Sequence, residues 1–239
     1  MTKSRTALRS TFAALALALS AGAAQAAFFG STYDTIVPSP GGNSSGSACV
    51  TKLQSDFDGT PPYGYLTWTP GAVTTFSQLV TLTATFSFPV GSYHGGSPRF
   101  EIPLDTDGDG SWNGSIFVYM GTPPSFTDAG HAAFLATGNV IGDLVTHWDL
   151  TQLGGPYYGT YAQALALVGG ARVLDVELVV DGGWGGDQAA LADTFTVNAE
   201  TYVTVCPPPP APVPAGDDRG LAVLAMLLAL AAAWRLRRG

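Results

Sequence analysis

Alternation over nine residues is the strongest constraint in this chain. Val80, Leu82, Ala84, Phe86 and Phe88 fall on one side of an extended segment, and Thr81, Thr83, Thr85 and Ser87 fall on the other. Successive side chains of a strand point to opposite faces, so this spacing suits a sheet with one buried face and not a helix of 3.6-residue period. The pattern recurs. Phe100, Ile102 and Leu104 alternate with Arg99, Glu101 and Pro103, and Phe195 and Val197 alternate with Thr194, Thr196 and Asn198. Leu174, Val176, Leu178 and Val180 alternate with Asp175, Glu177 and Asp181, which gives a strand with an acidic outer face. Ile116 to Met120 is apolar throughout and reads as a strand buried on both faces, and Tyr202 to Val205 supplies a last one. Between residues 27 and 206 only Thr160 to Val168 reads as a helix, closed by Gly169 and Gly170. With 30 Gly and 17 Pro to make turns, the pattern predicts an all-β fold. The expected architecture is an antiparallel two-sheet β-sandwich, jelly-roll-like, with one short helix.

The two ends read as addresses. Lys3, Arg5 and Arg9 precede the apolar run Phe12 to Leu19, which leads to Ala24-Gln25-Ala26. That order is the charged region, short apolar region and small-residue cleavage site of a secretory signal peptide over residues 1–26. The apolar run is too short to span a bilayer. At the other end, Pro207 to Pro210, Pro212 and Pro214 favour a stiff polyproline II stalk over residues 207–219. Residues 220–239 then read as a short hydrophobic helix ending in Arg235, Arg237 and Arg238, a cluster that belongs on the cytoplasmic side of a membrane. An exported module over residues 27–206 remains, long enough to bury its own core. It holds 3 basic residues against 16 acidic ones, a net of 3 − 16 = −13. Such a charge argues against a nucleic-acid partner, whose phosphates need neutralising.

Proline stalk, small motif, short apolar helix and terminal arginines together resemble the C-terminal sorting signals of the PEP-CTERM class. The IPTL-CTERM variant is the most similar. Val213-Pro214-Ala215-Gly216-Asp217-Asp218-Arg219-Gly220 keeps the Pro and the final Gly of its Ile-Pro-Thr-Leu-x-x-Trp-Gly pattern, with Val213 for Ile. The resemblance implies a Gram-negative bacterium and transient tethering in the inner membrane. It also implies processing by an exosortase-type transpeptidase and final display at the cell surface or in the extracellular matrix. An ordinary tail anchor has the same layout.

Cys49 and Cys206 bracket the module, and an even pair in an exported chain predicts a disulfide. The Gly/Ser stretch from Gly41 to Ser47 reads as a flexible leader before the first strand. Asp105-Thr106-Asp107-Gly108-Asp109-Gly110 directly follows a predicted strand. Alternating carboxylates with glycines turn oxygens inward as Ca²⁺ requires, so Asp105, Asp107 and Asp109 are candidate ligands. The bidentate twelfth-position Glu of an EF-hand is replaced by Ile116, and a plain acidic turn is the alternative reading.

The remaining lead is aromatic. Trp112 and Trp184 lie in Gly/Asp-rich loops and Tyr157-Tyr158 in another, where planar rings suit stacking on sugar faces. Each ring has the alternative role of a cap on the core. The segments Gly96 to Phe100 and Val179 to Trp184 resemble those of secreted bacterial β-sandwich modules of no assigned activity. His94, His131 and His147 have no zinc-site spacing, and nucleophile-elbow and phosphate-loop motifs are absent. His147-Trp148-Asp149 reads as a site edge or as an ordinary strand. The expectation is a non-enzymatic surface or matrix protein that binds polysaccharide. The alternatives are a glycan-active hydrolase using Asp175, Glu177 and Asp181 or a purely structural, adhesive protein.

Overall fold

The computed structural model describes residues 26–30, 34–39, 45–56, 63–94, 97–181 and 186–208. The signal peptide before Ala26, Trp184, and the tail residues Val213, Pro214, Gly220, Arg235, Arg237 and Arg238 lie outside them. Among the described residues, no helix is long and apolar enough to cross a membrane. They form β1 (Ala27–Gly30), β2 (Thr35–Pro38), β3 (Cys49–Ser55), β4 (Tyr63–Thr69), β5 (Thr74–Thr75), β6 (Leu82–Ser92) and β7 (Arg99–Asp105). These are followed by β8 (Gly114–Tyr119), β9 (Ala129–Ala136), β10 (Trp148–Asp149), helix α1 (Tyr161–Val168), β11 (Arg172–Val173), β12 (Val176–Asp181), β13 (Gln188–Val197) and β14 (Glu200–Val203).

The strands make two antiparallel sheets stacked as a β-sandwich. In the first, β12 lies between β4 and β7, β1 flanks β4, and β8 and then β10 continue beyond β7. In the second, β13 lies between β6 on one side and β3 and β14 on the other, with β2 and β9 at the edges. Register places the apolar series inward. Leu66, Leu178, Phe100, Val118 and Trp148 form one rung across five strands, and every one of them is buried. Phe195 of the second sheet stacks on Phe100, with ring centroids 6.0 Å apart. Each such side chain removed from water contributes roughly 1.5–3 kcal/mol, and the sheets are held chiefly by that burial.

The alternating series become strands with several differences. Leu174 and Asp175 precede β12, which begins at Val176. Ile116 to Met120 is not buried on both faces, because Phe117 of β8 stands half-buried beside Glu101 on the outer face. Val80 stays outside β6 and is exposed, because β6 begins at Leu82. The last strand runs from Glu200 to Val203, two residues earlier than its sequence pattern, because it pairs back on β13 through a tight turn. Two short strands, β1 and β2, precede the Gly41–Ser47 stretch, so that stretch does not lead into the first strand. Helix α1 starts on a capping box in which Thr160 and Gln163 exchange side-chain and backbone hydrogen bonds.

A polar clasp closes the second sheet. Between Ala192 and Thr194 the pairing of β13 with β6 shifts by one residue, which leaves Asp193 as a bulge. The inward series therefore changes from Ala190 and Ala192 to Phe195 and Val197. Asp193 is fully buried and accepts both the Ser45 amide (3.0 Å) and the Ser45 hydroxyl (2.6 Å). Ser47 donates to the Thr204 carbonyl at 2.7 Å, and the Thr51 and Thr204 hydroxyls meet at 2.8 Å. Ser45 and Ser47 are thus anchored. Beside them Cys49 is joined to Cys206, with Cα atoms 5.3 Å apart. The bridge ties the start of β3 to the segment after β14, both on the same side of β13.

This bridge closes a loop of 157 residues, for which chain entropy sets an upper contribution of about 5 kcal/mol. Reduction, or Cys49→Ser with Cys206→Ser, is expected to lower the melting temperature by roughly 10 °C. Calorimetry with and without reductant checks this, and an unchanged midpoint would refute it.

Candidate functional site

The outward side chains of the first sheet form a continuous polar and aromatic band. One rung reads Phe29, Thr67, Glu177, Glu101, Phe117 and Asp149 across six strands. Its neighbour reads Tyr65, Val179, Arg99 and Tyr119, and Tyr63 faces Asp181 one step further. Directly opposed residues of an antiparallel pair stand about 4.5–5.5 Å apart at Cβ, so these groups act on one another.

An open depression of about 320 Å³ lies in this face, lined by Tyr63, Tyr65, Arg99, Glu101, Glu177 and Asp181. The two tyrosines project together because β4 places residues 63 and 65 on one side. Their rings stack at 5.7 Å, and Tyr63 is half exposed. Between them Gly64 points inward against β3, where a Cβ would stand 2.7 Å from the backbone N and O of Gln54. Only glycine permits that approach of the two sheets.

Charge is unevenly matched on the floor. The Arg99 guanidinium lies 3.5 Å from Asp181 and 3.9 Å from Glu101, and 4.4 Å above the Phe117 ring. Glu177 sits opposite Glu101 and accepts a hydrogen bond from the Thr67 hydroxyl at 3.3 Å. Burial, then repulsion from Glu101 and Asp175, push the Glu177 carboxyl up to about 7. Burial also raises Asp175, which accepts a hydrogen bond from the Thr69 hydroxyl, and raises the Tyr65 hydroxyl. Among the acidic candidates, Glu177 and Asp181 line the depression, while Asp175 sits further along the face.

The band ends in a second aromatic group. The Tyr119 hydroxyl donates to Asp149 at 2.7 Å, and Asp149 also accepts the amide and hydroxyl of Thr151. Tyr157 and Tyr158 pack on each other at 4.5 Å, and on Tyr119 and Phe126, with each about two-fifths exposed. Burial, then the Asp149 hydrogen bond, raise the Tyr119 hydroxyl far above its ordinary value. In the His147-Trp148-Asp149 segment, Trp148 belongs to the core and Asp149 to the outer band. His147 lies 3.0 Å from Asp143, and its burial lowers its pKa despite that carboxylate.

The acidic loop forms at the end of β7. Asp105 is buried, and its two oxygens accept the amides of Gly108 (2.6 Å) and Gly110 (2.9 Å), both glycines having positive φ. Burial works against its charge, but those amides outweigh it and hold Asp105 below its ordinary value. Asp107 and Asp109 are exposed, and one oxygen of each accepts an amide two residues on. One oxygen from each of the three carboxylates lies within 4.8 Å of the others. Calcium–oxygen bonds of about 2.3–2.6 Å allow ligands at most about 5 Å apart, so the oxygens fit one ion. Trp112, in the same loop, is 59% exposed, and its indole N–H donates to the Ser115 hydroxyl at 3.1 Å.

A larger depression, about 600 Å³, is bordered by Trp68 and Glu200. Glu200 there accepts the Trp68 indole N–H at 3.1 Å, and no other ionisable side chain lines it among the described residues. Tyr63, Tyr65, Arg99 and Glu101 are the site residues that sequence reasoning missed. The signal for the tyrosines was legible in Tyr-Gly-Tyr-Leu-Thr-Trp-Thr (63–69), which alternates as the other strands do. Nothing in the sequence pairs Glu101 with Glu177. Compared with known proteins, the chain matches no family profile, no curated protein and no solved structure.

The raised Glu177 carboxyl makes stability depend on pH. The folded protein binds this proton more tightly than the unfolded chain, whose value is near the ordinary 4.5. Its contribution is therefore complete below about pH 4.5 and is lost as pH rises through about 7. Glu177→Gln removes that loss, so the variant should gain on the parent between about pH 5 and pH 8. The full shift corresponds to about 3 kcal/mol, which solvent screening in an open groove reduces to the order of 1–2 kcal/mol. Denaturant titrations across that range check the sign, and parallel curves for the two proteins would reject it.

Proposed function

We propose that this is an exported envelope or matrix protein of a Gram-negative bacterium that binds polysaccharide on the outer face of its first sheet. The observation that carries the reading is the open depression in which Tyr63 and Tyr65 stand beside Arg99, Glu101, Glu177 and Asp181. Aromatic rings next to convergent hydrogen-bonding groups supply apolar contact for sugar C–H faces and partners for hydroxyls. Repeated crossing of the chain between sheets, as from β3 to β4 and from β6 to β7, is compatible with a jelly-roll arrangement. The basic and apolar start and the arginine-ended tail support export, transient tethering in the inner membrane and processing by an exosortase-type enzyme.

Binding is favoured over catalysis by the placement of the carboxylates. Glycosidases put an acid and a second carboxylate on either side of the scissile bond. Glu101 and Glu177 are instead side by side on neighbouring strands, under the same face of any chain lying across them. The glycan-active hydrolase remains the second reading on one observation, a Glu177 carboxyl poised near neutral pH. Release of reducing ends from a bound polysaccharide, abolished by Glu177→Gln, would establish it.

Tyr63→Ala with Tyr65→Ala is expected to weaken polysaccharide binding about tenfold or more, from lost stacking area. A glycan array followed by affinity electrophoresis measures this, with Trp112→Ala and Tyr157→Ala reporting on the other aromatic patches. Failure of the protein to retain any glycan would leave only the structural, adhesive role.

The Asp105, Asp107 and Asp109 loop is proposed as a weak Ca²⁺ site that rigidifies the turn after β7. With an affinity in the roughly 10⁻⁴–10⁻³ M class, saturation at ten times the dissociation constant adds about 1.4 kcal/mol. Millimolar Ca²⁺ should raise the unfolding temperature by a few degrees, and Asp107→Asn with Asp109→Asn should remove that response. Asp105→Asn should lower stability with or without metal, because its oxygens cap Gly108 and Gly110. An identical melt for the double variant and the parent in both conditions would make the loop an acidic turn only.

A further inference from the structure

Resting on the reading of the groove as a glycan site, we infer that its ligand is an amino-sugar polymer with free ammonium groups, a de-N-acetylated hexosamine chain. The charge of the floor carries this. Three carboxylates, Glu101, Glu177 and Asp181, face one guanidinium among the described lining residues, so the floor is +1 − 3 = −2 when all are ionised. Arg99 is already shared between Asp181 at 3.5 Å and Glu101 at 3.9 Å, and its face is taken by Phe117. Glu177 is left opposite a like charge, with the Thr67 hydroxyl as its hydrogen-bond donor.

A cation brought by the ligand relieves that repulsion, because an opposite charge within a few ångströms favours the ionised carboxylate. A hexosamine ring resting on Tyr63 and Tyr65 carries its ammonium group on the same small ring that stacks. Tyrosine faces attract cations as well. A neutral glucan or a fully N-acetylated chain offers Glu177 hydroxyl or amide donors but brings no charge to offset the repulsion from Glu101. A uronate or sulfated polymer meets a net-negative floor on a module whose 27–206 region carries 3 − 16 = −13.

The test is calorimetric titration of the protein with its Cys49–Cys206 bridge intact, near neutral pH. The probes are a glucosamine oligomer, its N-acetylated counterpart, a glucose oligomer, a galacturonate oligomer and oligolysine, all of equal length. The glucosamine oligomer is expected to bind about tenfold more tightly than the N-acetylated and glucose oligomers, the value of one charge-assisted hydrogen bond. Added salt should shrink this preference, and Glu177→Gln should bring the ratio close to one in a variant that melts at or above the parent temperature. Equal affinity for charged and neutral sugars would overturn the amino-sugar assignment and leave the glycan-binding reading standing. Preference for galacturonate would overturn it too. Oligolysine binding as tightly as the glucosamine oligomer would reduce the groove to a general cation site. Binding of no sugar at all would remove both readings together.

Discussion

The register of β12 between β4 and β7 is the constraint on which both the core and the outer groove depend. Leu178 is held in line with Leu66 and Phe100, which points Val176, Leu178 and Val180 inward. The same ladder turns Glu177 and Asp181 outward. A slip of one residue would exchange the two sets and place carboxylates between the sheets. Burying an unpaired charge costs far more than any single rung of hydrogen bonds contributes, so the slipped pairing has no competing population. Core and site are two sides of one ladder.

The second sheet meets a different requirement. Its central strand β13 must pair with β6 along one edge and with both β3 and β14 along the other. The bulge at Asp193 resolves this by resetting the inward series midway. The cost is a buried carboxylate, which the Ser45 amide and hydroxyl satisfy. The disulfide and the Thr51–Thr204 contact then hold the end of the module against its early strands. The groove lies on the opposite sheet, away from this clasp.

The proposed function rests on how Arg99 is used. On a sheet face with several carboxylates, one guanidinium cannot neutralise all of them. It lies against Asp181 and Glu101 and over Phe117, and that choice leaves Glu177 among like charges with its proton held more tightly than usual. Stacked tyrosines at the rim add apolar area next to this unbalanced charge. The combination suits a ligand with both ring faces and positive charge. In the Asp105 loop, by contrast, the first carboxylate also holds the Gly108 and Gly110 amides, so Asp107 and Asp109 are the two of the three acids that can be changed without releasing those amides.

Period-two spacing made the β-sandwich legible from the chain alone, as at Phe100, Ile102 and Leu104, because a side chain's face is set by backbone geometry that needs no partner. Helix α1 was legible in the run from Thr160 to Val168 closed by Gly169 and Gly170, because that signal is local. An even pair of cysteines, in a chain whose start reads as a signal peptide, was enough to predict their bridge. The bulge at Asp193 was hidden, since it depends on which strand lies beside β13, and so were β1 and β2, too short to show a period. The groove was hidden for the same reason. Tyr63 and Tyr65 share a face by local spacing, but that this face also holds Arg99, Glu101 and Glu177 depends on three strands distant in sequence finding one register. Local periodicity determines which way a side chain points, whereas the neighbours it meets there, and the charge they impose on it, exist only once long-range pairing has chosen them.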